Sequence, residues 1–262
     1  MPVALGNWWF IPLLMTLLVG ILCPATGAIL ITHRRLMQAN LVSHSVLPGL
    51  ALALAIGIDP TIGGVLSGLL GALVAERLAL KSLENNEAVI NTVLAGSLGF
   101  GVLLIPLLGI RIDLEAVLFG DLLTVGWGDL GRTSLAAIAL LVIVKVCYQQ
   151  LVYIGLDPEG ASSNGLRVSS LRIALGFVTA LVVVSSMSAV GIVLVIGLLS
   201  APALLGLAHA PSLSAAIFRS AGFGLLLSLI GFLLAITFNL SPGPLIGVLC
   251  IAALAFWRNN VE

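Results

Sequence analysis

Apolar stretches long enough to cross a bilayer recur from one end of the chain to the other, and this constrains the fold more than any motif does. A hydrocarbon core takes roughly 20 apolar residues per helix. Such stretches can be read at about 8–32, 36–58, 61–75, 89–109, 133–151, 173–187, 190–207, 221–238 and 244–257. Charged residues make up only 8% of the chain, against roughly 25% in soluble domains. The expected fold is therefore all-α: one polytopic membrane helix bundle over 1–262, with about 8–9 transmembrane helices. The opening MPVALGN carries no lysine or arginine, unlike the basic start of a secretory signal, so the first apolar stretch is expected to stay as a helix.

Basic residues set the orientation, because short loops rich in them remain cytoplasmic. With the N terminus outside and the C terminus cytoplasmic, Arg34, Arg35, Arg77, Lys81, Lys145, Arg167, Arg172, Arg219 and Arg258 fall on the inner side, leaving Arg111 and Arg132 outside. The opposite orientation reverses that split. The expected location is the plasma (inner) membrane, multi-pass. A formal net charge of zero implies no nucleic acid or other polyanionic partner.

Within the third stretch, Gly64 and Gly68, Ser67 and Gly71, and Gly71 and Ala75 lie four apart, a spacing that lets helix backbones approach closely. Cys23, Cys147 and Cys250 are isolated, against a disulfide framework or a structural zinc site. Cys23-Pro24 reads as a helix kink beside a buried thiol.

Two connecting segments stand out. Residues 111–132 hold Asp113, Glu115, Asp121 and Asp129 among apolar neighbours. They suggest a helix lying in the outer interface, with Trp127 at the membrane level. Residues 153–168 predict a short cytoplasmic helix: Asp157 as N-cap, Pro158 in the first turn, Glu159 at the positive end and Gly165 closing it. Such a helix between two spans is suited to docking a partner. His33, next to Arg34-Arg35, lies where a cation suits a helix C terminus; His209 reads as structural.

The polar cluster NLVSHSVLPG, residues 40–49, lies inside the second apolar stretch. Asn40 and His44 share a helix face one turn apart. Pro48, lacking an N–H, leaves the carbonyl of His44 unbonded and bends the chain at Pro48-Gly49. Imidazole is the commonest metal ligand and amide oxygens suit harder ions such as manganese. The alternative is a histidine hydrogen-bonded to a neighbouring helix. One chain supplies too few ligands for a closed site, which makes a second copy attractive.

These residues carry a resemblance. SHSVLPG (43–49), ITHRR (31–35), LFGDLL (118–123), DPEGASSNGL (157–166) and VGIVLVIGLLSAPALLGLA (190–208) occur in that order, and over essentially its whole length the chain resembles the permease subunits of the manganese/zinc/iron uptake family of ABC transporters. The resemblance implies a homodimeric permease with a central path faced by His44. It also implies a cytoplasmic ATP-binding subunit seated on residues 157–166, an extracytoplasmic metal-binding protein, and Asp121 at the outer mouth or docking surface. No permanently bound cofactor is implied; the divalent metal is cargo. Many members carry aspartate where this chain has Asn40, and losing that charge weakens attraction for a hard dication.

Neither lysine follows a glycine, so the chain holds no P-loop and ATP hydrolysis would belong to a separate subunit. An intramembrane metalloprotease would need H-E-x-x-H, whereas Ser45 follows His44. An ion-gradient-coupled secondary metal carrier remains the rival reading. Such carriers keep ionisable groups near the midplane, and here the acidic residues lie at span ends or in loops.

Overall fold

In a computed structural model, which describes residues 9–79, 86–110, 120 and 125–259, the chain is all helical. The described helices are α1 (Phe10–Thr32), α2 (Leu36–Ile56), α3 (Pro60–Ala79), α4 (Asn86–Leu107), α5 (Trp127–Leu156), α6 (Pro158–Ser163), α7 (Val168–Leu207), α8 (Leu213–Phe238) and α9 (Pro242–Asn259). Among the described residues, eight segments are long and apolar enough to cross a membrane. Large apolar side chains such as Leu70, Leu103 and Leu141 point outward, the arrangement a bilayer solvent demands.

Two of the long helices are broken, each for a local reason. Gly191 interrupts α7 at φ 76°, ψ 162°, a region open essentially to glycine alone. The break separates the spans Val168–Met187 and Val190–Leu207, as the apolar stretches predict. Cys147 leaves helical geometry within α5 at φ −108°, ψ 16°. α5 is longer than the stretch at 133–151: it starts at Trp127, so the end of the expected interfacial segment is the first turn of a spanning helix. There the Gly126 N–H donates to Asp129 Oδ2 at 3.1 Å, and Arg132 pairs with Asp129 at 3.5 Å.

The chain forms two compact units. One takes in the residues up to Ile31, Glu115–Leu140 and Ser185–Glu262. α1 passes through Pro24 without interruption, so the expected kink does not break it. Pro24 cannot bond the carbonyl of Gly20, and Gly224 of α8 packs against that same oxygen, where a Cβ would collide. The Cys23 thiol is buried and donates to Ser186 Oγ at 3.5 Å. Thr133 Oγ1 donates to the Ser185 carbonyl at 3.0 Å, just before the break in α7. At the end of α7, Arg219 Nη1 donates to the His209 carbonyl at 3.0 Å, and a cation there complements the terminal carbonyls.

The other unit takes in Thr32–Leu114 and Leu141–Val184. Its centre is α2 packed on α3 and α4. The small-residue stripe of α3 is what lets α2 approach. A Cβ on Gly64 would lie 2.9 Å from Val46, and one on Gly68 would lie 3.1 Å from Val42. Gly49 and Gly63 face each other so closely that a Cβ on either would strike the other's carbonyl. Ser67 Oγ donates to the Ser45 carbonyl. Without a hydrophobic drive between helices in lipid, such close backbone packing supplies the association.

Candidate functional site

Helix α2 carries the polar cluster. It begins after Arg35 and ends at Gly57, whose left-handed φ of 73° lets its N–H bond the carbonyls of Ala53 and Leu54. It stays continuous through Pro48, so the bend expected at Pro48-Gly49 does not interrupt it. Gly49 also serves a purpose the sequence did not suggest, as the contact point with Gly63.

Asn40 and His44 lie one turn apart, both half-buried, with Ser43 and Ser45 buried beside them. Ser43 Oγ is used up by the Ala39 carbonyl at 2.9 Å. His44 Nδ1 is buried and has no hydrogen-bond partner among the described residues, and Ser45 Oγ shares that condition. An unpartnered imidazole nitrogen with an amide one turn away forms a pair of neutral donors suited to a passing cation. Among the described residues no three His, Cys, Asp or Glu side chains come together as a metal site. Farther along α2, Pro48 and Gly49 line an apolar groove with Ser67, Gly71, Ser97 and Phe100; His44 is not part of its lining.

The segment expected to dock a partner is built as its residues dictate. Asp157 Oδ1 accepts from the Gly160 N–H at 2.9 Å, and Pro158 occupies the first turn of α6. Gly165, at φ 80°, closes α6 with paired bonds: its own N–H to the Ser162 carbonyl and the Leu166 N–H to the Ala161 carbonyl, both 3.0 Å. This is the 6→1 and 5→2 pattern that satisfies terminal carbonyls. Glu159 is exposed. One tie escaped the sequence reading: Asn164 Nδ2 donates to the Tyr153 hydroxyl at 2.7 Å, fastening α6 to the end of α5. Asp121 lies outside the described residues.

His33 is half-buried in the turn between α1 and α2. Burial, helped by Arg35 and Arg172, pushes its pKa below the ordinary imidazole value, opposed only by a hydrogen bond to the Leu151 backbone. His209 sits at φ 57° just past α7.

The profile of the ABC 3 transport family matches residues 9–259. An uncharacterized membrane protein from the ycf23-apcF intergenic region of Cyanophora paradoxa is 34% identical, over 92% of this chain and 81% of its own. The manganese transport system membrane protein MntC of Listeria innocua is 30% identical, over 94% and 87%. Among solved structures, PsaBC from Streptococcus pneumoniae in complex with Fab superposes with a TM-score of 0.87 at 28% identity, covering 96% of this chain and 91% of that one. A match over nearly the whole chain, on a helical membrane fold with the expected polar cluster in its second helix, places the protein: it belongs to the ABC 3 transport family and is a multi-pass membrane permease.

Proposed function

We propose that this permease carries a divalent transition metal inward, manganese first and zinc or iron as the alternatives, powered by ATP hydrolysis in a separate cytoplasmic subunit. The observation that carries the reading is the buried, unpartnered Nδ1 of His44, one turn from Asn40 on α2. A buried polar atom without a partner is destabilising unless something completes it, and a transiting ion does so intermittently. Manganese is favoured because MntC and ScaB relatives, the latter from Streptococcus gordonii at 28% identity, are named for manganese transport or import. The Asn40 oxygen is also a harder donor than imidazole. Only two donors come from α2, so a second copy of the chain completes the path and makes the permease a homodimer.

In this reading α6 seats the ATP-binding subunit through Asp157, Pro158 and Glu159, with Gly165 holding its end. An extracytoplasmic metal-binding protein delivers the ion to an outer mouth that includes Asp121. The test is accumulation in an uptake-deficient cell carrying the whole transporter, read by elemental analysis. Manganese should accumulate, and His44→Ala should reduce it at least tenfold at unchanged membrane abundance. Normal accumulation in that variant would remove His44 from the path.

A further inference from the structure

A second polar site lies away from the His44 cluster, where the turn after α1 meets the last turn of α5 and the start of α6. It is a cavity of about 160 Å³ whose lining includes His33, Arg34, Arg35, Gly155, Pro158 and Arg172. That is room for several waters or one compact polyatomic anion.

Its charges do not balance. Arg35 is committed, with Nη2 on Glu76 at 3.3 Å and Nη1 on Gln38 at 2.9 Å. Arg34 and Arg172 have no carboxylate partner among the described residues, and Arg172 acts repulsively on both His33 and Arg35. The Nε2 atom of His33 is buried without a partner among the described residues; a Cβ on Gly155 would lie 3.6 Å from it. Three guanidinium groups around one cavity, offset by a single carboxylate, are a repulsive arrangement as they stand. Arg34 is exposed and Arg172 half-buried, so both guanidinium groups are open to an incoming anion.

The donor set indicates which anion. Guanidinium forks match the paired oxygens of phosphate. Charge asymmetry assigns this end of the bundle to the cytoplasmic side, where basic pockets between membrane helices take lipid headgroups. We propose that the His33–Arg34–Arg35–Arg172 cavity binds a phosphate group, supplied either by the headgroup of an anionic membrane lipid or by soluble phosphate. Since Pro158 lines the same cavity, the bound group braces the start of α6 against the turn at 33–35. The assignment does not depend on which metal is carried, nor on His44.

The experiment uses the full chain, purified in nonionic detergent and stripped of lipid, and reads the melting temperature and bound mass by native mass spectrometry. Phosphatidylglycerol is expected to raise the melting temperature by several degrees and to remain as an adduct, while zwitterionic phosphatidylcholine does neither. If inorganic phosphate, against chloride at equal ionic strength, protects and phosphatidylglycerol does not, the group comes from solution. Arg172→Gln should weaken the protecting species at least tenfold. Arg34→Asn should weaken it severalfold while preserving the turn, because asparagine tolerates the φ of 55° found at Arg34. Arg167→Gln, exposed and outside the cavity, should leave binding unchanged. The proposal is overturned if neither ligand protects the wild type, or if the Arg34 variant, which is expected to fold, binds as the wild type does.

Discussion

At the scale of single residues, what matters is which polar atoms inside the membrane are left over. Most hydroxyls in the spans are absorbed locally: Thr16 by the Pro12 carbonyl at 2.7 Å, Thr26 by Leu22 at 2.9 Å and Thr179 by Leu175 at 2.7 Å. Against that background the bare Nδ1 of His44 is an exception. If Asn40 is the weaker half of the pair because it lacks a charge, Asn40→Asp should lower the manganese concentration needed for half-maximal uptake severalfold. An unchanged or higher concentration would show that the amide stands outside the path. Gly191 makes a separate residue-level prediction. A Cβ at φ 76°, ψ 162° is strained by roughly 1–3 kcal/mol, so Gly191→Ala should lower thermal stability in detergent. The phosphate-type cavity could not be read from the chain, since His33 and Arg172 stand 139 positions apart and only folding sets them side by side.

At the scale of elements, α2 and α3 are the pair to challenge. Gly49 and Gly63 each occupy the space the other's Cβ would need, so Gly49→Ala should destabilise the pair by about 1–3 kcal/mol, the usual range for overpacking. Adding Gly63→Ala should cost less than the sum, because residues in one contact are not independent; strict additivity in detergent unfolding would refute a shared contact. α6 was legible almost completely: cap, first-turn proline and closing glycine are local chemistry, and Asp157, Pro158 and Gly165 occupy those positions. Replacing Asp157 and Glu159 together by lysine should release the ATP-binding subunit in copurification while the permease still reaches the membrane. Retention of that subunit would place its seat elsewhere. The tie from Asn164 to Tyr153 was not legible, because an amide and a phenol 11 residues apart meet only when α5 and α6 turn toward each other.

At the scale of the whole molecule, the number of crossings decides on which side the chain ends. α9 has 18 residues, about 27 Å at 1.5 Å per residue, just under a hydrocarbon core of about 30 Å. It nevertheless buries Ile246 and Cys250, with Ile246 seated against Gly231 of α8. Helix α9 is therefore expected to complete a ninth crossing and leave the C terminus cytoplasmic, so that a C-terminal green fluorescent protein fusion glows. A dark fusion at normal expression would mean eight crossings. The sequence alone determined the helical class, most of the spans and the caps of α6, because hydropathy, proline and glycine geometry and capping act over a few neighbouring residues. Tertiary structure decided which glycines touch across helices, which polar atoms remain unpartnered and where the arginines converge. Those properties are distances between segments far apart along the chain, and only side-chain packing fixes them.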